Sequence, residues 1–166
     1  MASRKKTELP PPEVLLALDN QFCFPVYAAT NLIWRVYRPL LEPLDLTYPQ
    51  YLVMLVLWET ETVTVKALGE RLFLDSGTLS PLLKRIEQRK LITKRTDVND
   101  ALRVIVGLTK KGAALKHEAA KVPEALVCRL LADGGPEAGV RIEALREQLK
   151  ALVGTLSASL EGKEAA

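Results

Sequence analysis

The sequence predicts a mainly helical α+β fold that contains one short β-hairpin. Apolar residues recur at helical spacing along most of the 166-residue chain. Two β-prone runs, 91–95 and 103–108, flank a turn-forming segment at 97–100. A content of 48% hydrophobic and 26% charged residues allows a buried core and excludes disorder of the whole chain.

The first third of the chain predicts a flexible arm followed by two helices. Residues 1–12 are polar and include three consecutive prolines, which is typical of an extended arm, and we predict a flexible arm over 1–18. Apolar residues then follow helical spacing over 19–42, and Pro39 and Pro43 mark the end of that helix. The segment 46–58 is apolar on nearly every side, so we expect a buried helix there.

The middle of the chain predicts a winged helix-turn-helix. Thr64 is a good N-cap for a short helix with apolar residues on one face, and a tight link at 73–75 follows. A longer helix over 76–90 then leads into the hairpin. Short helix, turn, longer helix and hairpin is the order of elements in this DNA-binding motif.

The predicted DNA-contact residues share small hydroxyl or cationic side chains. A recognition helix must fit a groove about 12 Å wide, which favours small residues at its start and cations later. A basic hairpin can lie along the adjoining phosphates or the minor groove. The candidates are Ser76, Thr78, Ser80, Lys84 and Arg85 in the helix, and Lys94, Arg95 and Arg103 in the hairpin.

The charge distribution favours an anionic partner for the middle of the chain. Residues 64–117 carry twelve basic and five acidic residues, a net charge of +7, whereas the remainder carries −4. By charge alone, a solvated lysine-rich face fits equally well. The helix-turn-helix pattern decides in favour of duplex DNA.

The last third predicts two helices that form a dimer interface. Thr109 caps a long helix that continues through a kink at Pro123 to Leu131, and Gly134-Gly135-Pro136 ends it. A final amphipathic helix covers 137–160. The apolar stripes at 22–40 and 142–156 are too large for a lone domain, so we expect a homodimer. Its two-fold symmetry places two recognition helices about 34 Å apart and calls for a pseudo-palindromic operator.

The predicted division of the chain follows these segments: a flexible arm (1–18), N-terminal dimerisation and sensor helices (19–62), a winged helix-turn-helix (63–108) and C-terminal dimerisation helices (109–166).

Several classes of protein are disfavoured by the composition. The longest unbroken apolar run has eight residues, at 51–58, whereas a membrane span needs about 20. We therefore predict no membrane partner, and the lack of a secretory signal predicts a cytoplasmic protein. Two cysteines 105 positions apart and one histidine predict no metal site, no cofactor and no disulfide framework.

Cys23 is a candidate redox residue. It lies in the predicted first turn of a helix, where the unpaired N–H groups favour a thiolate, and Tyr27 is one turn further on. Phe22, Phe24 and Trp34 are candidates for an apolar pocket around it. On residue chemistry alone, a small buried core cysteine is the alternative.

Three segments carry a resemblance to a known family: LDNQFCF at 18–24, LTYPQYLVMLVLWE at 46–59 and GERLFLDSGTLSPLLKRIE at 69–87. They resemble the organic hydroperoxide sensors of the MarR group of dimeric repressors, the OhrR branch. The last segment includes Pro81, which by itself is unfavourable inside a helix. The resemblance implies a repressor and not an enzyme, with Cys23 as the redox sensor and with Tyr27, Tyr37 and Tyr48 supporting it.

The resemblance also implies a role for Cys128. In two-cysteine members of this branch, a resolving cysteine at the matching place forms a disulfide with the sensor of the other subunit. An organic hydroperoxide is then the inducer, and disulfide formation releases the operator DNA. The wing departs from the family pattern, because Leu102 stands where an arginine is usual and only the adjacent Arg103 is cationic.

Two other functions compete with this interpretation. One is a MarR-type regulator that a small ligand releases reversibly, with structural cysteines. The other is a thiol peroxidase, which the large basic surface disfavours.

Overall fold

The computed structural model describes residues 10–132 and 137–164. They fall into two compact units that meet in sequence at Lys116 and His117. The elements are α1 (Pro12–Leu15), α2 (Phe24–Leu41), α3 (Tyr48–Thr60), β1 (Thr62–Thr64), α4 (Val65–Leu72), α5 (Ser76–Gln88), β2 (Ile92–Thr96), β3 (Val104–Leu108), α6 (Lys110–Ala119), α7 (Lys121–Ala132) and α8 (Ala138–Glu164), with 3₁₀ turns at Leu18–Asn20 and Glu42–Leu44. The predicted mainly helical fold is confirmed.

Helix α3 forms the centre of the first unit. Thr47 and Gln50 make a capping box at its start, which satisfies two of the backbone donors that a helix N-terminus leaves free. Its residues Val53, Met54 and Leu57 are fully buried, as the apolar run predicted. The rest of this core comes mainly from Leu41, Leu68, Leu79, Leu83, Ile86, Leu91, Ile92 and Val106.

The helix-turn-helix depends on a close approach at Gly69. Helix α4 ends at Leu72, its C-cap residue Phe73 has a left-handed backbone (φ 54°), and the Leu74 N–H donates to the Gly69 carbonyl at 2.9 Å. A Cβ at Gly69 would lie 2.8 Å from the Leu74 carbonyl oxygen, so a side chain there would open the turn. The turn therefore sets the angle at which α5 leaves α4.

The wing is part of a three-stranded sheet rather than an isolated hairpin. β3 lies in the middle, antiparallel to β2 on one side and to β1 on the other. β1 has three residues, Thr62–Thr64, which is too short to show an alternating pattern in the sequence. Since β1 leads directly into α4, the sheet ties the wing to the start of the helix-turn-helix.

The start of the first long helix differs from the prediction. Helix α2 begins at Phe24 and not at Asp19, because residues 18–20 form a 3₁₀ turn. Pro39 lies inside α2 and does not end it. The predicted flexible arm contains the one-turn helix α1, and its first nine residues lie outside the described part of the chain.

The prediction of one long helix over 109–131 is wrong. The chain breaks at Ala120 into α6 and α7, and Pro123 lies in the first turn of α7, where its missing N–H costs no hydrogen bond. Gly134, Gly135 and Pro136 lie outside the described residues. α8 follows as a 27-residue helix. No helix in the described ranges is long and apolar enough to cross a membrane.

Candidate redox sensor and DNA-contact surface

Cys23 is the N-cap residue of α2, one position before the helical turn in which the sequence placed it. Its carbonyl accepts the backbone N–H of Tyr27 at 3.0 Å, so the cysteine is joined to the first turn of the helix. The side chain is exposed and free. An exposed thiol at a helix N-terminus is open to a peroxide and lies near the positive end of the helix dipole.

A cluster of aromatic side chains lies at the other end of α2. The rings of Tyr37 and Tyr48 are 4.6 Å apart between centroids, and those of Trp34 and Tyr48 are 6.5 Å apart. Tyr51, which the sequence analysis missed, joins the cluster 6.0 Å from Tyr37. Its near-complete burial in α3 was predicted, but its contact across to α2 has no local sequence signal.

Burial makes these phenols harder to deprotonate than exposed ones. Desolvation, with smaller contributions from Tyr48 and Tyr51, raises the pKa of Tyr37 to about 12. Burial likewise raises the pKa of Tyr48 and of Tyr51. Near neutral pH the cluster therefore offers O–H donors to an incoming group and no phenolate charge.

Within one chain, Cys23 and this aromatic cluster lie far apart. Cys23 precedes α2 and Tyr37 is near its end, so at 1.5 Å per residue about 21 Å of helix separates them. Tyr27 is the predicted supporting tyrosine that shares the Cys23 end, where it is largely exposed and stacks on Phe24. The predicted pocket is likewise divided, because Trp34 belongs to the distant cluster.

Cys128 lies in α7 and is exposed and free. It belongs to the second unit, whereas Cys23 belongs to the first. Among the described residues, no group of His, Cys, Asp and Glu side chains is arranged to hold a metal ion.

The recognition helix α5 presents its predicted contact residues on an exposed face. Asp75 caps the helix, since its carboxylate accepts the Thr78 N–H at 2.8 Å and the Thr78 hydroxyl at 2.9 Å. These hydrogen bonds lower the pKa of Asp75. The Thr78 hydroxyl proton is thereby engaged, which leaves its oxygen as an acceptor. Ser76, Thr78, Ser80, Lys84 and Arg85 are all exposed.

In the wing, carboxylates hold two of the three predicted cations. The Lys94 ammonium lies 2.9 Å from Glu87, whose other oxygen accepts the Lys94 backbone N–H at 3.2 Å. The Arg103 guanidinium lies 3.6 Å from Asp97. Arg95 is exposed and has no ion-pair partner among the described residues. Leu102 is 95% exposed at the tip of the wing.

A cavity of about 670 Å³ lies between α2, α3 and α5. Trp34 and Tyr48 of the aromatic cluster line it, together with Arg85 and Arg89 of the recognition segment. The cavity is therefore lined both by the end of α2 and by the recognition helix α5.

Large apolar side chains remain exposed along two helices. They follow helical spacing: Phe22, Val26, Ile33 and Trp34 in and before α2, and Ile142, Leu145, Leu149, Val153 and Leu156 in α8. Patches of this size usually mark an interface.

Comparison with known proteins identifies the family. The family described as "Transcriptional regulator SarA/Rot" matches residues 35–119. The chain is also 43% identical over 141 residues to the organic hydroperoxide resistance transcriptional regulator of Bacillus subtilis (strain 168), covering 85% of this chain and 92% of that protein. This chain belongs to the organic hydroperoxide branch of the MarR-type transcriptional regulators.

Solved structures agree with this assignment. AbfR of Staphylococcus epidermidis is 34% identical, with a TM-score of 0.61 over 82% of this chain and 94% of AbfR. AbfR has been solved in a reduced form and an overoxidised form bound to DNA, and in a disulfide form. Escherichia coli MarR, 23% identical with a TM-score of 0.64, shares the fold. These relatives are regulators, which supports at family level the expectation that the chain is not an enzyme.

Proposed function

We propose that the protein is a transcriptional repressor that senses organic hydroperoxides through Cys23 and leaves its operator when Cys23 is oxidised. One observation carries the proposal: a free, exposed cysteine caps the sensor helix of a chain in the organic hydroperoxide branch of the MarR-type regulators.

The active form is a homodimer whose sensor sites combine residues of both chains. About 21 Å of helix separates Cys23 from Tyr37 within one chain, so those tyrosines cannot donate to the Cys23 of their own chain. In a two-fold dimer through the exposed stripes of α2 and α8, Cys23 of one protomer approaches the Tyr37 and Tyr48 hydroxyls of its partner. Tyr27 then contributes from the Cys23 end.

The chemistry at Cys23 is a two-electron oxidation. The thiolate attacks the outer oxygen of the hydroperoxide, the O–O bond breaks, and the alkoxide takes a proton to leave as an alcohol. A protonated tyrosine cluster can donate hydrogen bonds to the peroxide oxygens during this step. The sulfenic acid of Cys23 then condenses with the Cys128 thiol of the other subunit, which forms a disulfide and releases water.

DNA binding uses the exposed face of α5 with the wing. Ser76, Thr78 and Ser80 can reach base edges, whereas Lys84, Arg85 and Arg95 neutralise phosphates. Lys94 and Arg103 contribute less than the sequence predicted, because Glu87 and Asp97 already pair with them.

The test is a DNA-release titration with cumene hydroperoxide. The DNA is a duplex that the reduced protein selects from a randomised library. Wild-type protein should release it at about one equivalent of peroxide per chain. Cys23→Ser should bind but not respond, because a serine hydroxyl is a poor nucleophile near neutral pH. Steady-state peroxide turnover with a dithiol reductant would instead indicate a thiol peroxidase.

Peptide mapping of the oxidised protein tests the role of Cys128. We expect a Cys23–Cys128 link between chains, and a Cys128→Ser protein that stops at the sulfenic acid or proceeds to irreversible oxidation. A Cys23–Cys23 link in the wild type would refute the resolving role.

The cavity beside Tyr48 favours a second candidate function, release by a small ligand. Its lining includes one tryptophan, one tyrosine, three arginines and two carboxylates, so the cations outnumber the anions and the cavity fits an aromatic anion. Release of DNA from Cys23→Ser by salicylate, without any peroxide, would support this function.

A further inference from the structure

One side chain joins the end of the recognition helix to the sensor helices. Arg89 follows the last residue of α5, and its guanidinium donates to the Asp45 carbonyl and, at 3.1 Å, to the Leu44 carbonyl. It also lies 2.8 Å from the Asp45 carboxylate. The Arg89 side chain is 25% exposed. Within the described residues, every hydrogen bond between the end of α5 and the segment that connects α2 to α3 is made by Arg89.

Both ends of this link are held by helix-terminating motifs. After Arg89, Lys90 has a left-handed backbone (φ 59°), and the Leu91 N–H donates to the Ile86 carbonyl at 3.3 Å. On the other side, Asp45 is also left-handed (φ 51°), and the Leu46 N–H donates to the Leu41 carbonyl at 3.2 Å. The two backbones are therefore fixed, and the arginine spans a defined gap.

The connection that Arg89 holds is continuous with the sensor. We call residues 42–47 the α2–α3 linker. It begins where α2 ends, and Thr47 caps α3 immediately before Tyr48. Tyr48 packs on Tyr37 of α2. A rotation of α2 or a displacement of Tyr48 therefore moves the carbonyls that Arg89 binds.

We propose that Arg89 is a positioning residue that transmits sensor oxidation to the recognition helix through the α2–α3 linker. The inference rests on the proposed function, because it concerns how oxidation of Cys23 changes DNA affinity. Arg89 and Asp45 line the cavity of about 670 Å³ together with Trp34, Tyr48 and Arg85. The planar guanidinium of Arg89 binds the neighbouring carbonyls of Leu44 and Asp45 at the same time. The ammonium group of a lysine lacks this forked geometry and would hold the two carbonyls less well.

The measured quantity is the response ratio, the Kd for DNA of the oxidised protein divided by that of the reduced protein. The variants are Arg89→Lys, which keeps the charge, and Arg89→Met, which removes it. We expect the response ratio to fall about tenfold in both, because a coupling residue is lost. The rate at which cumene hydroperoxide consumes the Cys23 thiol should stay within about twofold of wild type, since, among the described residues, Arg89 bonds to Leu44 and Asp45 and to none of the tyrosines.

A second variant keeps the proposal testable if the Arg89 variants do not fold. Asp45→Asn removes the ion pair but keeps both carbonyls, and asparagine tolerates the left-handed backbone at this position. We expect its response ratio to fall by about threefold, between wild type and the Arg89 variants.

The matched controls are Arg71→Lys and Arg71→Met. Arg71 bonds to Glu59 and so joins α4 to α3 by an exposed arginine–carboxylate pair that does not touch the linker. Their response ratios should equal that of wild type. The proposal is overturned if the ratio stays at the wild-type value in Asp45→Asn or in a folded Arg89 variant, or if the Arg71 variants lower it equally. If the wild type itself keeps its DNA after oxidation, the proposed function fails, and the inference fails with it.

Discussion

The DNA-contact region and the sensor region differ in how much of each a single chain supplies. Residues 63–108 are complete within one chain, because Asp75 caps the recognition helix and Glu87 ties it to the wing. The sensor region is divided: Cys23 and Tyr37 occupy opposite ends of α2, and the apolar side chains between them are exposed.

This difference suggests how one fold can keep DNA recognition constant while sensing varies. The recognition surface needs rigid geometry, and local caps and ion pairs provide it. The proposed sensor needs a site that a covalent change can disturb, and an interface between two chains is suited to this, since packed interfaces switch between discrete arrangements.

Mixed dimers test the divided sensor most sharply. One chain carries Cys23→Ser, and the other carries Tyr37→Phe with Tyr48→Phe. If each site combines Cys23 of one chain with the tyrosines of its partner, one site remains wholly native. Its cysteine should then react with cumene hydroperoxide at the wild-type rate, about tenfold faster than in the homodimer of the tyrosine variant.

A slow reaction of the mixed dimer would contradict a site shared between the two chains. If the tyrosines act on the cysteine of their own chain, the remaining Cys23 faces two phenylalanines. The mixed dimer would then react as slowly as the tyrosine-variant homodimer.

Core truncation tests whether the DNA-contact region is complete by itself. Leu83 of α5 is 1% exposed, so Leu83→Ala should lower the free energy of unfolding by about 3 kcal/mol. Leu102→Ala, at the 95% exposed tip of the wing, is the matched control and should change it by less than about 0.5 kcal/mol. Urea unfolding at one fixed protein concentration measures both. An equal loss of unfolding free energy in Leu83→Ala and Leu102→Ala would mean that Leu102 is buried in an interface.

The salt dependence of DNA binding distinguishes free cations from paired ones. Lys84→Ala and Arg85→Ala should each reduce the slope of log K against log salt by about 0.9 for every phosphate that the variant no longer neutralises. Lys94→Ala should reduce it less, because the Lys94 ammonium is 2.9 Å from Glu87. A full-sized reduction for Lys94 would mean that the ion pair opens on DNA.

The sequence predicted elements with strong local signals and missed pairings between distant segments. The N-cap at Thr64 and the apolar face of α5 identified the helix-turn-helix, and both are confirmed. Strand β1 was missed because three residues carry no periodicity. The helix break at Ala120 was misplaced to Pro123, since a proline in a first turn looks like a kink until the hydrogen bonds are known.

In the candidate site too, the sequence predicted individual residues but not the contacts between separate segments. Cys23 was a candidate from its predicted place in the first turn of a helix, and Tyr37 and Tyr48 came from the resemblance to the hydroperoxide sensors, but neither showed that Cys23 and these tyrosines lie far apart within one chain. The contacts of Arg89 had no local sequence signal, because its partners lie 44 and 45 positions earlier in the chain. The pairing of Lys94 with Glu87, seven positions apart, was not predicted because it joins the end of α5 to β2 across a turn whose geometry the sequence does not give, although the ion pair changes what the cation can contribute.

The smallest predicted effect concerns the aromatic cluster, the part of the sensor region that one chain does supply. The pKa of Tyr37 is about 12 in the folded protein, against 10.0 for an exposed tyrosine. Above pH 10 the unfolded chain loses a proton that the folded chain retains, so this contribution to stability is present below that pH and is lost as the pH rises towards 12. The free energy of unfolding should therefore fall less between about pH 9 and about pH 11 in Tyr37→Phe than in wild type.

Tyr27→Phe is the control, because Tyr27 is 66% exposed and its removal should leave unchanged the loss of unfolding free energy that wild type shows over this pH range. The ultraviolet absorbance of tyrosinate gives an independent measure: one late-titrating group should vanish in Tyr37→Phe. An equal alkaline loss in wild type and Tyr37→Phe would mean that the Tyr37–Tyr48 contact opens in solution, and that even this part of the sensor needs the partner chain.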